Sequence, residues 1–492
     1  MDSAPLERAL CPAAPPARPL TPPSGPPYGV RAAPTESARL QFLLERALLA
    51  YVLLSAALLA NDGALGPLSV LPFLGCLGVL FDTVRRLGSA SPLPGASGLS
   101  VGRWAGLLAP LALLASLRPP GVFLRPGTPL WVFPLLTAAV LGLALWAVGA
   151  QRRQRQRDVL AAAMLLMFLV AAVWVLRASP GPRIDLYTIQ QLGAAHLLAG
   201  RDPYAATYPN IYSAKESLAF FGAPLTELRY YPYPPLSLLV TTAGYWLAGD
   251  VRVSFLALHL ATGVLLYAMV RRRSGSMAAG LLALHLLSPR GLFVLEQSWT
   301  EPLLSACVAA WAALMLTSDP AGKRAAAAQA VLLGLVFSAK QYSVLLVPLL
   351  VAQRFRPAWS RAALWRTTAL AAGLAALGLL PFLLWHPRDL IEDLILFQVR
   401  QPFRQDALTL PALFSFATGL RAPGALALLG AAGSLGWAFG RLPRQPAGLL
   451  YGAAIGCFSF FAMAKQAFCN YYSFVGVLLL LCAAACVRPR AD

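Results

Sequence analysis

The chain has 492 residues, of which 58% are hydrophobic and only 12% charged, with a mean hydropathy of +0.64. Soluble domains carry about twice that charge, so a string of soluble domains of this length is excluded. Forty Lys and Arg against twenty Asp and Glu give a formal charge of +20. The basic residues cluster in short stretches between apolar runs, at Arg152 to Arg157, Arg271 to Arg273 and Arg354 to Arg366. That is the positive-inside pattern of a membrane protein, and no nucleic-acid partner is expected.

Residues 1–40 are rich in Pro, Ala and Arg without an apolar core, and read as a disordered cytoplasmic tail and not a signal peptide. Apolar runs long enough to cross about 30 Å of hydrocarbon follow near 43–60, 66–83, 104–117, 130–148 and 159–176. A long polar loop over 177–250 then lies outside. Within it, the apolar stretch 234–249 reads as an interfacial or re-entrant helix, because a further crossing would put Arg271–Arg273 on the wrong side. Crossings resume near 251–270, 276–293, 301–317 and 325–339, with a short return over 343–352 and another crossing over 364–385. Residues 386–408 form a second outer segment before crossings near 422–440, 447–464 and 470–487. Helices satisfy their own backbone in lipid, so the fold expected is all-α: a polytopic transmembrane bundle of about 13–14 crossings with extracytoplasmic loops and interfacial helices. The lipid bilayer is its first partner, as a multi-pass protein of the plasma (inner) membrane. Three regions are expected: the tail 1–40, an N-terminal transmembrane extension 41–158, and a module 159–492 that carries the chemistry.

On this path twelve of the twenty carboxylates lie on the outer side, and long loops without an evident structural need are usually functional. The chemistry is therefore expected to be extracytoplasmic. Asp185 sits where an outgoing helix meets water, suited either to a general base or to an N-cap. Lys340 and Lys465 each occur as Ala-Lys-Gln at the outer end of an apolar helix; an ionisable residue at such depth is a functional candidate, against snorkelling to the interface. Arg400 and Arg404 are spaced i,i+4 on a surface helix expected over 389–401 and its continuation, where they could clamp one phosphate or touch lipid headgroups. His386 and Arg388 open that segment as weaker candidates. His196, His259 and His285 read as helix packing. The seven cysteines show no CxxC, and Cys482 and Cys486 read as small hydrophobes.

The ordered set Asp185 with Tyr187, Leu198-Ala-Gly-Arg-Asp-Pro-Tyr204, Tyr233-Pro-Pro-Leu236, Ser288-Pro289, Glu296-Gln297-Ser-Trp-Thr-Glu301-Pro302-Leu303 and Ala339-Lys340-Gln-Tyr342 resembles the GT-C superfamily of polyprenol-phosphate-sugar-dependent glycosyltransferases. Within it the sequence looks most like glycosyltransferase family 87 and related bacterial mannosyltransferase-like proteins of the cell envelope, over roughly residues 160–490. The resemblance implies a hexosyltransferase that moves mannose, or another hexose or pentose, from a polyprenyl-phosphate donor to an extracytoplasmic glycan or glycolipid acceptor. It implies Asp185 as the base. Independently, transfer needs cations to receive the charge that develops on the departing phosphate, and Lys340, Arg400, Arg404 and Lys465 are the candidates. Substrate contacts fall to Tyr187, Arg201, Asp202, Tyr204, Glu296, Gln297, Glu301, Gln341 and Tyr342. No metal or other cofactor is expected, the lipid-linked sugar being a co-substrate. Two departures stand out: about four crossings precede the helix that should be first, and Glu296-Gln297 replaces a more usual Gly-Gln. A polyprenyl-linked glycan polymerase or ligase, and a lipid or solute flippase, are the alternatives.

Overall fold

The computed structural model describes residues 35–487, apart from 90–92, 94–99, 150–151, 318–322 and 356–359. It is all-α apart from one pair of two-residue strands, Tyr208–Pro209 and Glu227–Leu228. Among the described residues six helices are long and apolar enough to cross a membrane: Glu36–Asn61, Pro67–Leu87, Gln154–Ala178, Arg252–Val270, Arg361–Trp385 and Cys469–Cys486. Eight shorter apolar helices accompany them. The chain is a polytopic membrane protein.

Ion pairs mark the two ends of the bundle. At one end lie Arg46–Asp82 and Arg271–Asp158, with Arg273 donating to the carbonyls of Leu316 and Val487. At the other, Arg118 and Arg290 share Asp62, and Arg252, wholly buried, is held by Asp250 and the carbonyls of Leu176 and Ser179. Arg271–Arg273 lie at the first end and the loop that follows Ala178 at the second. The C-terminal helix Cys469–Cys486 is the centre of the bundle, 83% buried over its apolar window, whereas Arg361–Trp385 is 17% buried and lies at the edge.

Three boundaries differ from the sequence expectation. The run 276–293 is broken into Gly275–Leu286 and Gly291–Glu296, because Pro289 cannot continue the helical ladder. The short return is a 3-10 helix over Gln341–Phe355; at about 2 Å per residue its fifteen residues reach roughly across the hydrocarbon. The first helix starts at Glu36, capped by the Thr35 hydroxyl, inside the span read as tail. The rest of that tail, 1–34, lies outside the described residues.

The N-terminal helices are built into the bundle. Tyr51 donates to the carbonyl of Leu284 at 2.6 Å, and Phe73 stacks on Phe458 and meets Tyr472 edge-on. Gly280 sits so close to Trp104 that a Cβ would fall 2.3 Å from its ring; a small residue here lets two helices approach. One hydrophobic core contains side chains from both the expected extension and the expected module.

The helix Pro235–Ala248 has both ends among outer segments. Tyr204 donates to the carbonyl of Tyr233 just before it, and Gln191 donates to the carbonyl of Gly249 just after it. It packs against Asp185–Leu198, which ends where Gly200 turns with a positive φ, and against Arg252–Val270.

Candidate active site

Asp185 is the first residue of its helix, and Ile184 ahead of it makes no side-chain cap. Its carboxylate is half-buried, and the hydroxyls of Tyr212 and Tyr230 donate to its two oxygens at 3.1 Å each. Burial pushes the carboxyl above its ordinary range, and the two phenols pull partly back. Burial, and then the Asp185 charge, push both phenols up as well, so they stay protonated donors. A carboxylate raised toward neutrality yet oriented by two donors is suited to accept a proton from a hydroxyl.

Aromatic rings connect this carboxylate to the cations. Tyr212 meets Phe220 edge-on at 4.9 Å, and the Arg404 guanidinium lies over Phe220 at 4.6 Å and over Phe468 at 4.9 Å. Arg404 also pairs with Asp406 at 2.6 Å, and its backbone N–H donates to the carbonyl of Lys465. Lys465 donates to the carbonyls of Val399 and Gln401. On the other side Tyr230 stacks on Phe397 at 4.0 Å.

The helix expected to carry both Arg400 and Arg404 is interrupted in the structure. The surface segment is three short pieces, Pro387–Ile391, a π-helical turn Glu392–Leu396, and Phe397–Arg400. It stops at Arg400 because Pro402 forces Gln401 into extended backbone. Arg400 therefore pairs with Glu392, and Arg404 belongs with Lys465.

A second cluster is buried beneath. Lys340 forms an ion pair with Glu301, the two being 5% and 1% exposed. The same Glu301 oxygen, Oε1, accepts from Asn470 at 2.9 Å and Tyr342 at 3.2 Å. The Lys340 ammonium faces the rings of Tyr233, Tyr342 and Tyr471, each 5.3 Å away, a cation–π enclosure. Its opposite charge is thus supplied by the protein. Tyr233 feels both Asp185 and Glu301 and is the link between the clusters.

The other expected residues divide by what they touch. Asp202 accepts from the Tyr204 N–H and pairs with His386 at 2.7 Å. Tyr204 reaches the Tyr233 carbonyl, and Gln341 donates to the carbonyl of Pro232 at 2.8 Å. These residues hold the tyrosine-rich loop 230–233 in place. Tyr187 lies elsewhere: its hydroxyl donates to the Pro180 carbonyl and its ring stacks under Arg252. The Arg201 side chain is exposed. Glu296 accepts the backbone N–H groups of Val122 and Phe123 at 2.7 and 2.8 Å, and Gln297 donates to it as well. Both oxygens of Glu296 thus hold the backbone at Val122 and Phe123.

Tyr212, Asn470, Tyr471 and Asp393 are the members that sequence reasoning missed. Asn470-Tyr471-Tyr472 at the outer start of an apolar helix was a legible signal; Tyr212 was not. Asp393, 1% exposed, accepts the Tyr231 N–H at 2.7 Å, and burial first, with Asp389 and Glu392 adding to it, pushes its carboxyl up to about 8. The folded protein therefore holds a proton there, between the unfolded value near 4 and about 8, that the unfolded chain lacks. Its contribution favours folding at low pH and is lost as pH rises through that range. Asp393→Asn keeps an acceptor for Tyr231 and cannot ionise. It should raise stability at pH 9 by about 5 kcal/mol, the linkage value of a carboxyl raised about four pH units above its unfolded value, and change it far less at pH 5, read as thermal melting of the purified variant. Parallel melting curves for both proteins across that range would show that Asp393 is not held protonated.

No protein-family model and no curated protein matches this chain. Among solved structures, ArnT from Cupriavidus metallidurans bound to undecaprenyl phosphate is similar at 21% identity and a TM-score of 0.43, covering 66% of this chain and 60% of that one. The same protein in its apo state is similar at 20% identity with the same TM-score and coverage. The match spans less than two thirds of the ArnT chain.

Proposed function

We propose that this chain is a GT-C-type membrane glycosyltransferase that moves one sugar from a polyprenyl-phosphate donor to an acceptor hydroxyl at the outer face. The observation that carries the reading is the Asp185 carboxylate, gripped by two tyrosine hydroxyls and linked to Arg404 through the rings of Tyr212 and Phe220. Such a site has the two parts the reaction needs. Asp185 removes the proton from the acceptor oxygen, which attacks the anomeric carbon. The bond from that carbon to the phosphate oxygen breaks, and the electron pair leaves with the phosphate. Arg404 and Lys465, with Arg400 at the rim and Lys340 beneath, receive the developing charge. One direct displacement inverts the anomeric centre. A sugar carried on a lipid explains why the cations sit where bundle and outer segments meet and not on a soluble domain. Mannose is the first sugar to try, and a glycan or glycolipid hydroxyl the acceptor.

The test is transfer in proteoliposomes. Radiolabelled polyprenyl-phosphate mannose, glucose and arabinose are supplied with a cell-envelope glycolipid extract. Transfer of label from at least one donor to an acceptor, with release of polyprenyl phosphate, is expected. Movement of intact donor between leaflets without cleavage would make the protein a flippase instead.

A further inference from the structure

Glu301 uses its two oxygens very differently. Oε1 accepts from Lys340, Asn470 and Tyr342, while Oε2 is buried with no hydrogen-bond partner. Oε2 is not facing a dry wall. Glu301 lines a cavity together with His259, Thr262, Ser288, Ser305 and Ser473, and His259 Nε2 is a second buried atom without a partner. Counted at the centres of water-sized molecules, the cavity volume is about 20 Å³, and roughly 10–15 Å³ suffices for one water. It is too small for an organic ligand. A metal cation would bring a second positive charge beside Lys340, with Glu301 the one carboxylate on that wall. Water, and a proton carried by it, are the occupants that fit.

Lys340 has one ammonium and two claimants. In the structure Glu301 holds it; in the donor reading above, on which this inference rests, a lipid phosphate needs it. Two anions on one buried ammonium repel, and proximity of a like charge favours the protonated form of a carboxyl. A carboxylate left unpaired in the interior is costly. We propose that phosphate binding at Lys340 is coupled to uptake of one proton by Glu301, delivered to Oε2 through the His259 cavity. The Lys340 N–H bond to Oε1 is exchanged for one to a phosphate oxygen, and an O–H bond forms at Oε2. That proton comes from bulk water through the cavity water, which also bonds His259 Nε2. Tyr342 and Asn470 keep Oε1 satisfied throughout.

Few other groups can take that proton. Facing Glu301 are Tyr233 from the outer loop, Tyr342 from the 3-10 helix, and Cys469, Asn470 and Tyr471 from the last helix. His259, His285 and Tyr51 close the cavity from three further helices. Phenols and thiols are already protonated at neutral pH. His285 is bonded to the His259 carbonyl through Nε2 and keeps only Nδ1 as an acceptor, which leaves Glu301, His259 and that nitrogen as acceptors, told apart by the glutamate isotope label below.

The full chain in proteoliposomes is titrated with polyprenyl monophosphate while infrared difference spectra are recorded. Binding should produce a protonated-carboxyl carbonyl band that shifts in deuterium oxide, moves on ¹³C-glutamate labelling, and is absent in Glu301→Gln. Above pH 7, where a phosphate monoester has passed its own pKa near 6, affinity should fall about tenfold per pH unit. Saturable binding without the band, or a band that persists in Glu301→Gln, overturns the proton coupling and leaves the donor reading standing. Unweakened binding by Lys340→Gln overturns it too, by moving the phosphate to Arg404 and Lys465. Failure of the wild-type chain to bind the lipid at all overturns the donor reading itself. Should Glu301→Gln not fold, the isotope shift and the pH slope of the wild-type protein decide.

Discussion

Asp185→Asn is expected to lower sugar transfer by roughly 10²–10⁴-fold, the range usual for loss of a general base, with expression and donor binding close to wild type. The amide has the shape of the carboxylate. Its oxygen can still accept from Tyr212 or Tyr230, and the other hydroxyl can rotate to accept from the new NH₂. What it cannot do is take the acceptor's proton. Asp185 is an acidic residue in the first turn of its helix, so thermal melting of the variant beside wild type separates any loss of helix stability from loss of the base. Single-turnover transfer with the donor that serves the wild type is the measurement. Wild-type turnover in Asp185→Asn would remove Asp185 from the chemistry. The base would then be sought among the other outer carboxylates, with Glu296 the poorest choice because its oxygens are occupied by Val122 and Phe123.

Much of the fold was legible because membrane insertion acts on short, local features. Runs of apolar residues are written along the chain, and they located the separate short helix Pro235–Ala248 and the return after Lys340. Isolated charges at the outer ends of apolar helices were legible for the same reason, and Asp185, Glu301 and Lys340 all stood out. Their partners were not. Lys340 and Glu301 are 39 positions apart, and Asn470 is 169 from Glu301, so only the packing of helices brings them together. The missing carboxylate partner made Lys340 look like a cation awaiting a ligand. The Arg400–Arg404 misreading is of another kind. Pro402 stood between them in the sequence, and its restriction on Gln401 was enough to end the helix. The N-terminal helices could not be read as integral from sequence, since their burial depends on contacts such as Tyr51 to Leu284 and Trp104 against Gly280.

Lys340→Met should destabilise the protein by about 3–5 kcal/mol, the cost of breaking a buried pair by removing one partner. The substitution keeps most of the side-chain length among Tyr233, Tyr342 and Tyr471, so lost packing contributes little. The cost falls on Glu301, left 1% exposed with only Tyr342 and Asn470 donating to it. Adding Glu301→Gln to Lys340→Met should therefore recover most of the loss, since the amide oxygen keeps both donors and carries no charge. Such recovery is strong coupling of the kind a double-mutant cycle isolates, and thermal melting of the three variants and wild type measures it. If the two single losses simply add, the charges are already screened by water reaching both groups, and Lys340 and Glu301 are independent surface-like ions despite their burial. If the double variant is stable yet fails to transfer sugar, the pair is present for binding and not for the fold, because a stable uncharged substitute was available at both positions.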